Sequence, residues 1–418
     1  MQPLKITLFG NYYDCQLYRG RLYLWTFDGD LRIYDWNQII DKVVNHNGDW
    51  LTFLYGYKDG RYLYGSKTKM LFEDEEFKKI VLKRYASSYR RKHVLEEKEI
   101  EDCMIGQQIA PSASLPIDTE IYNNILYYST EKGIFKTTAH RPTSEKYKVS
   151  TKPQKLWDAR VLSIIANDYP QMALSAGSDG LYEYRPDSNY NFALLREIEP
   201  QLYRVSERFS LFSNYIYESI FSSSHKGNSY ISMFKLDRDE NSYFHRVFEK
   251  EVEENVFTDD KSKGNEILSW GIRDKVYQAI GNKVRVMKFK KWTDYSRDER
   301  LNDFGVLNLN PKSESNLIKG GAASFGNILE YEDYLLVMMS NNEKFILPEE
   351  ITRWRIYPRS INYLNQLHVI LENRVEFFSF NHDSYVNQST KLNGIEYYVP
   401  TSTKARRQYS YDYDELFI

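Results

Sequence analysis

Between positions 83 and 92 the chain carries Lys83-Arg84-Tyr85 and Tyr89-Arg90-Arg91-Lys92, cations interleaved with tyrosines. A run of this kind can hold phosphates by charge while its rings stack on bases, which is the chemistry of a nucleic-acid contact. An acidic run, Glu96 to Asp102, follows at once. Local alternation of sign more commonly marks a solvated element or a charge-complementary protein contact. Protein is therefore the favoured partner for these seven residues, and nucleic acid the alternative. The end of the chain supplies a second candidate surface, because Tyr411, Tyr413 and Phe417 alternate there with Asp412, Asp414 and Glu415. That acidic, aromatic segment is suited either to docking on a partner or to closing the fold.

Readable enzyme chemistry is scarce. The seven histidines are scattered without a His-x-His or His-Glu-x-x-His cluster, so no metal is expected and no cofactor is assigned. No Gly-x-Ser-x-Gly elbow occurs, which removes the clearest serine hydrolase signal. Gly56, Gly60 and Gly65 lack the Lys-Ser/Thr that a phosphate loop requires and read as turn residues, while Gly320-Gly321 reads as a linker. Paired carboxylates could run a glycosidase, but a pair cannot be picked out among 58 acidic residues. No catalytic residue is assigned.

Composition sets the scale on which such residues must be positioned. The chain has 418 residues, 42% of them apolar and 16% aromatic, with 36 tyrosines, which is ample for a large core. Its 56 basic and 58 acidic residues nearly cancel, at a formal charge of −2, which argues against a protein devoted to gripping a phosphate backbone. Cys15 and Cys103 share no metal-like spacing and are expected to be reduced and inert. No apolar run approaches a membrane span, and the first residues lack the pattern of a secretory signal, so a cytoplasmic protein with no membrane contact is expected.

The elements come from periodicity. Leu22 to Trp36 places two alternating runs around Asp28-Gly29, the signature of a β-hairpin. Variants of the pattern recur, with turns near 28, 59, 131, 179, 226, 281, 341 and 372. The second copy, Trp50 to Tyr57, is expected to be a strand turning at Lys58-Asp59-Gly60. Leu4 to Phe9 alternates as a leading strand that could pair with the last repeat and close a ring. After Trp36 the period shifts to a short helix carrying Ile39, Ile40, Val43 and Val44 on one face, with Asp35 and Gln38 spaced as a capping box. Residues 68–105 form a charged insertion, a helix or a long outer hairpin. If helical, it would pair Asp74 with Lys78 and Glu75 with Lys79, and bury Phe77, Val81 and Tyr85.

Repeats of about 40 to 50 residues with turn-borne insertions are those of a β-propeller. The expectation is an all-β fold, a single propeller over residues 1–400 followed by a tail at 401–418, with seven blades favoured over six or eight. Ile33-Tyr34-Asp35-Trp36 resembles the strand end of a WD-repeat blade, and Asp179-Gly180-Leu-Tyr-Glu-Tyr184 resembles the same position in degenerate form. The Gly-His and Trp-Asp signatures are mostly missing, so the chain resembles WD-repeat propellers without resembling one characterised family. The resemblance implies a non-enzymatic scaffold, a subunit or adaptor of a multiprotein complex. Ser175 to Tyr184 also resembles, superficially, the Asp-containing turn of sialidase-like propellers, which makes a glycan hydrolase acting in the central channel the alternative.

Overall fold

In the computed structural model the strands form seven sheets, antiparallel apart from one short parallel pair, arranged as the blades of a β-propeller. The structure describes residues 3–380 except 48, 59–69, 72, 109–113, 140–152, 168–170, 187–200, 225–227, 239–243, 259–266, 290–300, 310–314, 340–342 and 361. Numbered along the chain, blades 1 to 7 begin with the inner strands Tyr12–Tyr18, Asp118–Tyr122, Ser163–Ala166, Phe212–Ile216, Ile267–Ile272, Leu317–Ala323 and Arg353–Ile356. Middle strands are covered on both faces by neighbouring blades. Leu335–Met339 of blade 6 and Gln366–Leu371 of blade 7 are accordingly buried throughout, as a doubly covered strand requires.

The ring is closed by its ends. Leu4–Phe9 pairs antiparallel with Arg374–Ser379, from Leu4 opposite Ser379 to Phe9 opposite Arg374. Polar bonds also cross the junctions between blades. Gln16 Nε2 donates to the Thr119 carbonyl at 2.8 Å, the Ile164 N–H to Asp118 at 2.8 Å, Ser175 Oγ to Ser213 Oγ at 3.0 Å and Ser223 Oγ to the Ser269 carbonyl at 2.6 Å. Lys344 Nζ donates to the Leu309 carbonyl, and the Trp354 indole N–H to Glu330 at 2.7 Å.

The strand expected before the turn at 59 is not formed. Trp50 to Lys58 is helical: Trp50–Phe53 forms α2 and Leu54–Lys58 a π turn, while residues 59–65 lie outside the described ones. The aromatic run that resembles a strand places Phe53 and Tyr57 four residues apart, on one helical face, and both are fully buried. The expected helix after blade 1's third strand is present as α1, Trp36–Asn47, with the Gln38 N–H and side chain both donating to Asp35. The charged insertion is also helical, as α3, Glu75–Ser88, with Phe77 packed against the core and Val81 and Tyr85 buried within it. Its ion pairs differ from those expected. Asp74 is spent as the N-cap, accepting from the Phe77 N–H at 2.8 Å, so the pairs shift to Glu75 with Lys78 and Glu76 with Lys79.

These helices interrupt blade 1 between Leu31–Asp35 and Met104–Gln108 but pack on blade 7. Val94–Leu95 adds a fifth strand there, parallel to the closing strand. The Tyr85 hydroxyl accepts from the Leu4 N–H at 3.0 Å and donates to the Ser379 carbonyl at 3.1 Å. The Tyr57 hydroxyl sits 2.8 Å from the Leu4 carbonyl and 2.9 Å from that of Phe377. The insertion is thus a clasp over the seam where Leu4–Phe9 meets Arg374–Ser379.

Candidate functional site: the central channel

The seven inner strands surround a channel cavity of about 430 Å³. Side chains of inner strands alternate, so every second residue is offered to the cavity or to one of its walls. In blade 7 this alternation reads Arg353-Trp354-Arg355, and the chain continues through Tyr357 to Arg359 along the same wall.

Two of these arginines are neutralised. Arg355 binds Asp14 through Nε at 2.9 Å and Nη2 at 2.6 Å, and reaches Asp118 at 2.8 Å. Arg353 lies 3.4 Å from Asp14 and 3.6 Å from Asp118, and donates to the Ile117 carbonyl at 2.9 Å. Asp14 is completely buried and also accepts from Thr119 Oγ1 at 2.8 Å and from the Cys15 N–H at 2.8 Å. Burial alone would raise its pKa. The charges of Arg355 and Arg353, with the hydrogen bonds from Arg355 and Thr119, outweigh that and hold Asp14 below the usual carboxylate range. The network joins blade 7 to blades 1 and 2.

The remaining charges are placed differently. Lys319, from blade 6, extends its ammonium to 4.8 Å from the Trp354 ring and 4.9 Å from the Phe212 ring of blade 4. Burial, and then the charge of Arg355, lower its pKa. Arg359 stands 5.7 Å over the Tyr215 ring. Among the described residues neither Lys319 nor Arg359 makes an ion pair or a hydrogen bond. Glu120, from blade 2, lines the same cavity. Burial pushes its carboxyl up to about 8 against the opposing charge of Arg359, so it is mostly protonated at neutral pH. Glu330 is raised by burial, with the Trp354 N–H bond opposing.

Gly320 and Gly321 lie inside the inner strand of blade 6, not in a linker between blades. A side chain at Gly320 would strike the Trp270 ring, and one at Gly321 would stand 2.5 Å from the Trp354 ring. The paired glycines exist to admit an indole from the blade on each side.

The basic segment stands apart from the channel. Lys83, Arg84, Arg90, Arg91 and Lys92 are exposed and Tyr89 is half-buried, with Arg90 stacked 5.8 Å over the Tyr89 ring. Tyr85 is buried, and both of its hydroxyl bonds are spent on the ring closure, so it offers no surface to a partner. Two acids of the run beside it are engaged on blade 1 and α1, Glu97 with Arg32 and Asp102 with Lys42 at 2.5 Å, while Glu96 and Glu99 cap each other in a local turn. Tyr411, Tyr413 and Phe417 lie outside the described residues.

The channel charges were not legible as a site because Asp14 and Arg355 are separated by most of the chain. The alternation Arg353-Trp354-Arg355 within an apolar strand was the available signal. A Cys–His pair also appears, Cys15 Sγ 3.9 Å from His368 Nδ1, but both residues are completely buried. Burial pushes the thiol far up and the imidazole down to about 3, so neither a thiolate nor a charged imidazole is available there.

No family model matches the sequence, and no curated protein matches it. Solved structures similar to it include β-propeller domains, at very low identity. The Cps50 (Swd1) β-propeller domain of Myceliophteria thermophila is 8% identical, with 88% of this chain and 96% of that one covered and a TM-score of 0.48. The WD40 β-propeller domain of Doa1 is 7% identical, covering 93% and 99%, with a TM-score of 0.45. BBS1N, solved in complex with ARL6DN, is 8% identical, covering 94% and 100%, at 0.45.

Proposed function

We propose that this protein is a non-enzymatic interaction propeller, a subunit or adaptor of a multiprotein complex in the cytoplasm. The observation that carries the reading is the exposed cluster of Lys83 and Arg84 on α3, whose Tyr85 is anchored to the ring seam, with Arg90, Arg91 and Lys92 in the segment that follows its C-terminus. A rigid scaffold presenting ordered cations and a half-buried tyrosine suits an acidic protein surface, with arginine and tyrosine as anchors. Two of the neighbouring acids, Glu97 and Asp102, are engaged on blade 1 and α1 and not on these cations. Two buried free cysteines agree with a reducing compartment. Among the described residues no helix is long and apolar enough to cross a membrane.

The test is cross-linking in native cells followed by mass spectrometry, comparing the wild type with a variant in which Arg84, Arg90 and Arg91 are replaced by Glu. A specific protein cross-linked to residues 83–92 in the wild type and lost in the variant supports the reading. Cross-links that survive the charge reversal would remove it. Recovery of nucleic acid in place of protein would transfer the face to the alternative partner.

One observation favours the second reading, a glycan hydrolase. The channel is not plugged by apolar side chains and contains Asp118, Glu120 and Glu330 beside Arg353, Arg355 and Arg359. A protonated Glu120 has the character of a general acid. Against it, the most buried carboxylate, Asp14, is tied to arginines and is no free nucleophile. Turnover of aryl glycosides abolished by Glu120→Gln would establish the hydrolase; its absence across a panel leaves the scaffold reading alone.

A further inference from the structure

We propose that the central channel is an anion-binding site, in which a carboxylate or phosphate group of a slender ligand seats between Lys319 and Arg359. The proposal is independent of the basic face on α3 and survives if that face has no partner. It rests on which groups in the cavity remain unspent. Arg353 and Arg355 are matched by Asp14 and Asp118, and Asp118 is further occupied by the Ile164 N–H. The direct contacts of Lys319 and Arg359 are with aromatic faces, Trp354 and Phe212 for the lysine and Tyr215 for the arginine, while Asp118 and Glu330 act on the lysine, and Glu120 on the arginine, without forming an ion pair among the described residues. An aromatic face orients a cation and excludes water from it, but supplies no counter-charge.

The other polar groups on the wall point to the same ligand class. Glu120, protonated at neutral pH, is a donor and not a counter-ion. Trp270 borders the cavity with its buried indole N–H lacking an acceptor. Glu330 is already engaged by the Trp354 indole. The groups open to the cavity are thus two cations and the neutral donor Glu120, the complement of an anionic oxygen. A cation is disfavoured by the same census, and among the described residues no three acid, thiol or imidazole groups are placed to hold a metal ion. At about 430 Å³ the cavity has the size of a small-ligand site.

The pH response follows from the groups that face the site. Glu120 faces Arg359, Asp118, Arg355 and Asp14, and Lys319 faces Arg355, Asp118, Glu330 and Arg353. As pH rises, ionisation of Glu120 adds negative charge and deprotonation of Lys319 removes positive charge. Both weaken anion binding.

The experiment is isothermal titration of the full chain with inorganic pyrophosphate and, separately, with glutarate, at constant ionic strength. Saturable binding of at least one probe is expected, weakening between about pH 7 and about pH 9. Lys319→Met and Arg359→Met should each reduce affinity by about tenfold or more, while Arg90→Gln should leave it unchanged. Preference for pyrophosphate assigns a phosphate ligand, and preference for glutarate a carboxylate. No saturable binding of either probe to the wild type overturns the proposal, whether or not the variants fold. So does binding that Arg90→Gln weakens and the two channel variants do not.

Discussion

Arg355 serves two buried carboxylates, and its removal should be felt more than that of any surface charge. Breaking the buried pair leaves Asp14 with only the longer Arg353 contact, at a cost of up to ~3–5 kcal/mol. Arg355→Met is therefore expected to lower the urea midpoint strongly at neutral pH. The folded-state pKa of Asp14 is depressed, so its contribution is present above the ordinary carboxylate range and is lost as pH falls through the depressed value. Acid should accordingly destabilise the wild type more than the variant, which has already lost that contribution; equal acid sensitivity would refute the assignment. Glu120 has the opposite sign. Its folded pKa of about 8 lies above that of the unfolded chain, so stability falls as pH rises from the ordinary glutamate range to about 8. Urea unfolding of Glu120→Gln as a function of pH should show that decline flattened, with the variant more stable than the wild type near pH 8.

The clasp is the element that ties sequence-distant parts together. Tyr85→Phe keeps the ring and removes the hydroxyl, leaving the Leu4 N–H and the Ser379 carbonyl without their partner. A loss of ~1–3 kcal/mol is expected for such an orphaned buried pair, with faster amide exchange in the closing strand Leu4–Phe9 and little change in blades 3 to 5. Uniformly faster exchange would mean that Tyr85 acts on global stability and not on the seam. The inner strand of blade 6 has a different constraint. Gly320→Ala forces a methyl group against the Trp270 indole, an overpacking cost of ~1–3 kcal/mol that chemical denaturation would detect. Element type was partly legible beforehand. The amphipathic period of α1 could be read directly, because helical neighbours lie within four residues, whereas the face Phe77, Val81 and Tyr85 was legible only on the helical reading of an insertion that its sequence left open between helix and hairpin. Trp50 to Tyr57 was misread as a strand because its aromatic alternation satisfies both periods, and only the packing of Phe53 and Tyr57 against the seam selects the helical one.

At the scale of the whole molecule, the ring depends on its two ends meeting. Deleting residues 1–10 removes the strand that pairs with Arg374–Ser379 and gives Val94–Leu95 its edge. Scanning calorimetry should then show a broad, low-temperature transition in place of a single cooperative one; an unchanged melt would show that the clasp alone closes the ring. The turn chemistry of Asp28-Gly29 and Asp179-Gly180, the alternating strands and their spacing are local properties, and they determined a repeat propeller without further information. The seven-blade count needed the tertiary structure, because Trp50 to Lys58 is helical and starts no blade, and blade 7 is assembled from Arg353–Ser379 together with Leu4–Phe9. The channel needed it more. Asp14, Asp118, Glu120, Lys319 and Arg353 to Arg359 come from four blades, and each reads as an isolated charge in a strand. Local sequence carries periodicity, whereas charge compensation depends on distances across the ring, and those distances decide which charges are paired and which remain for a ligand.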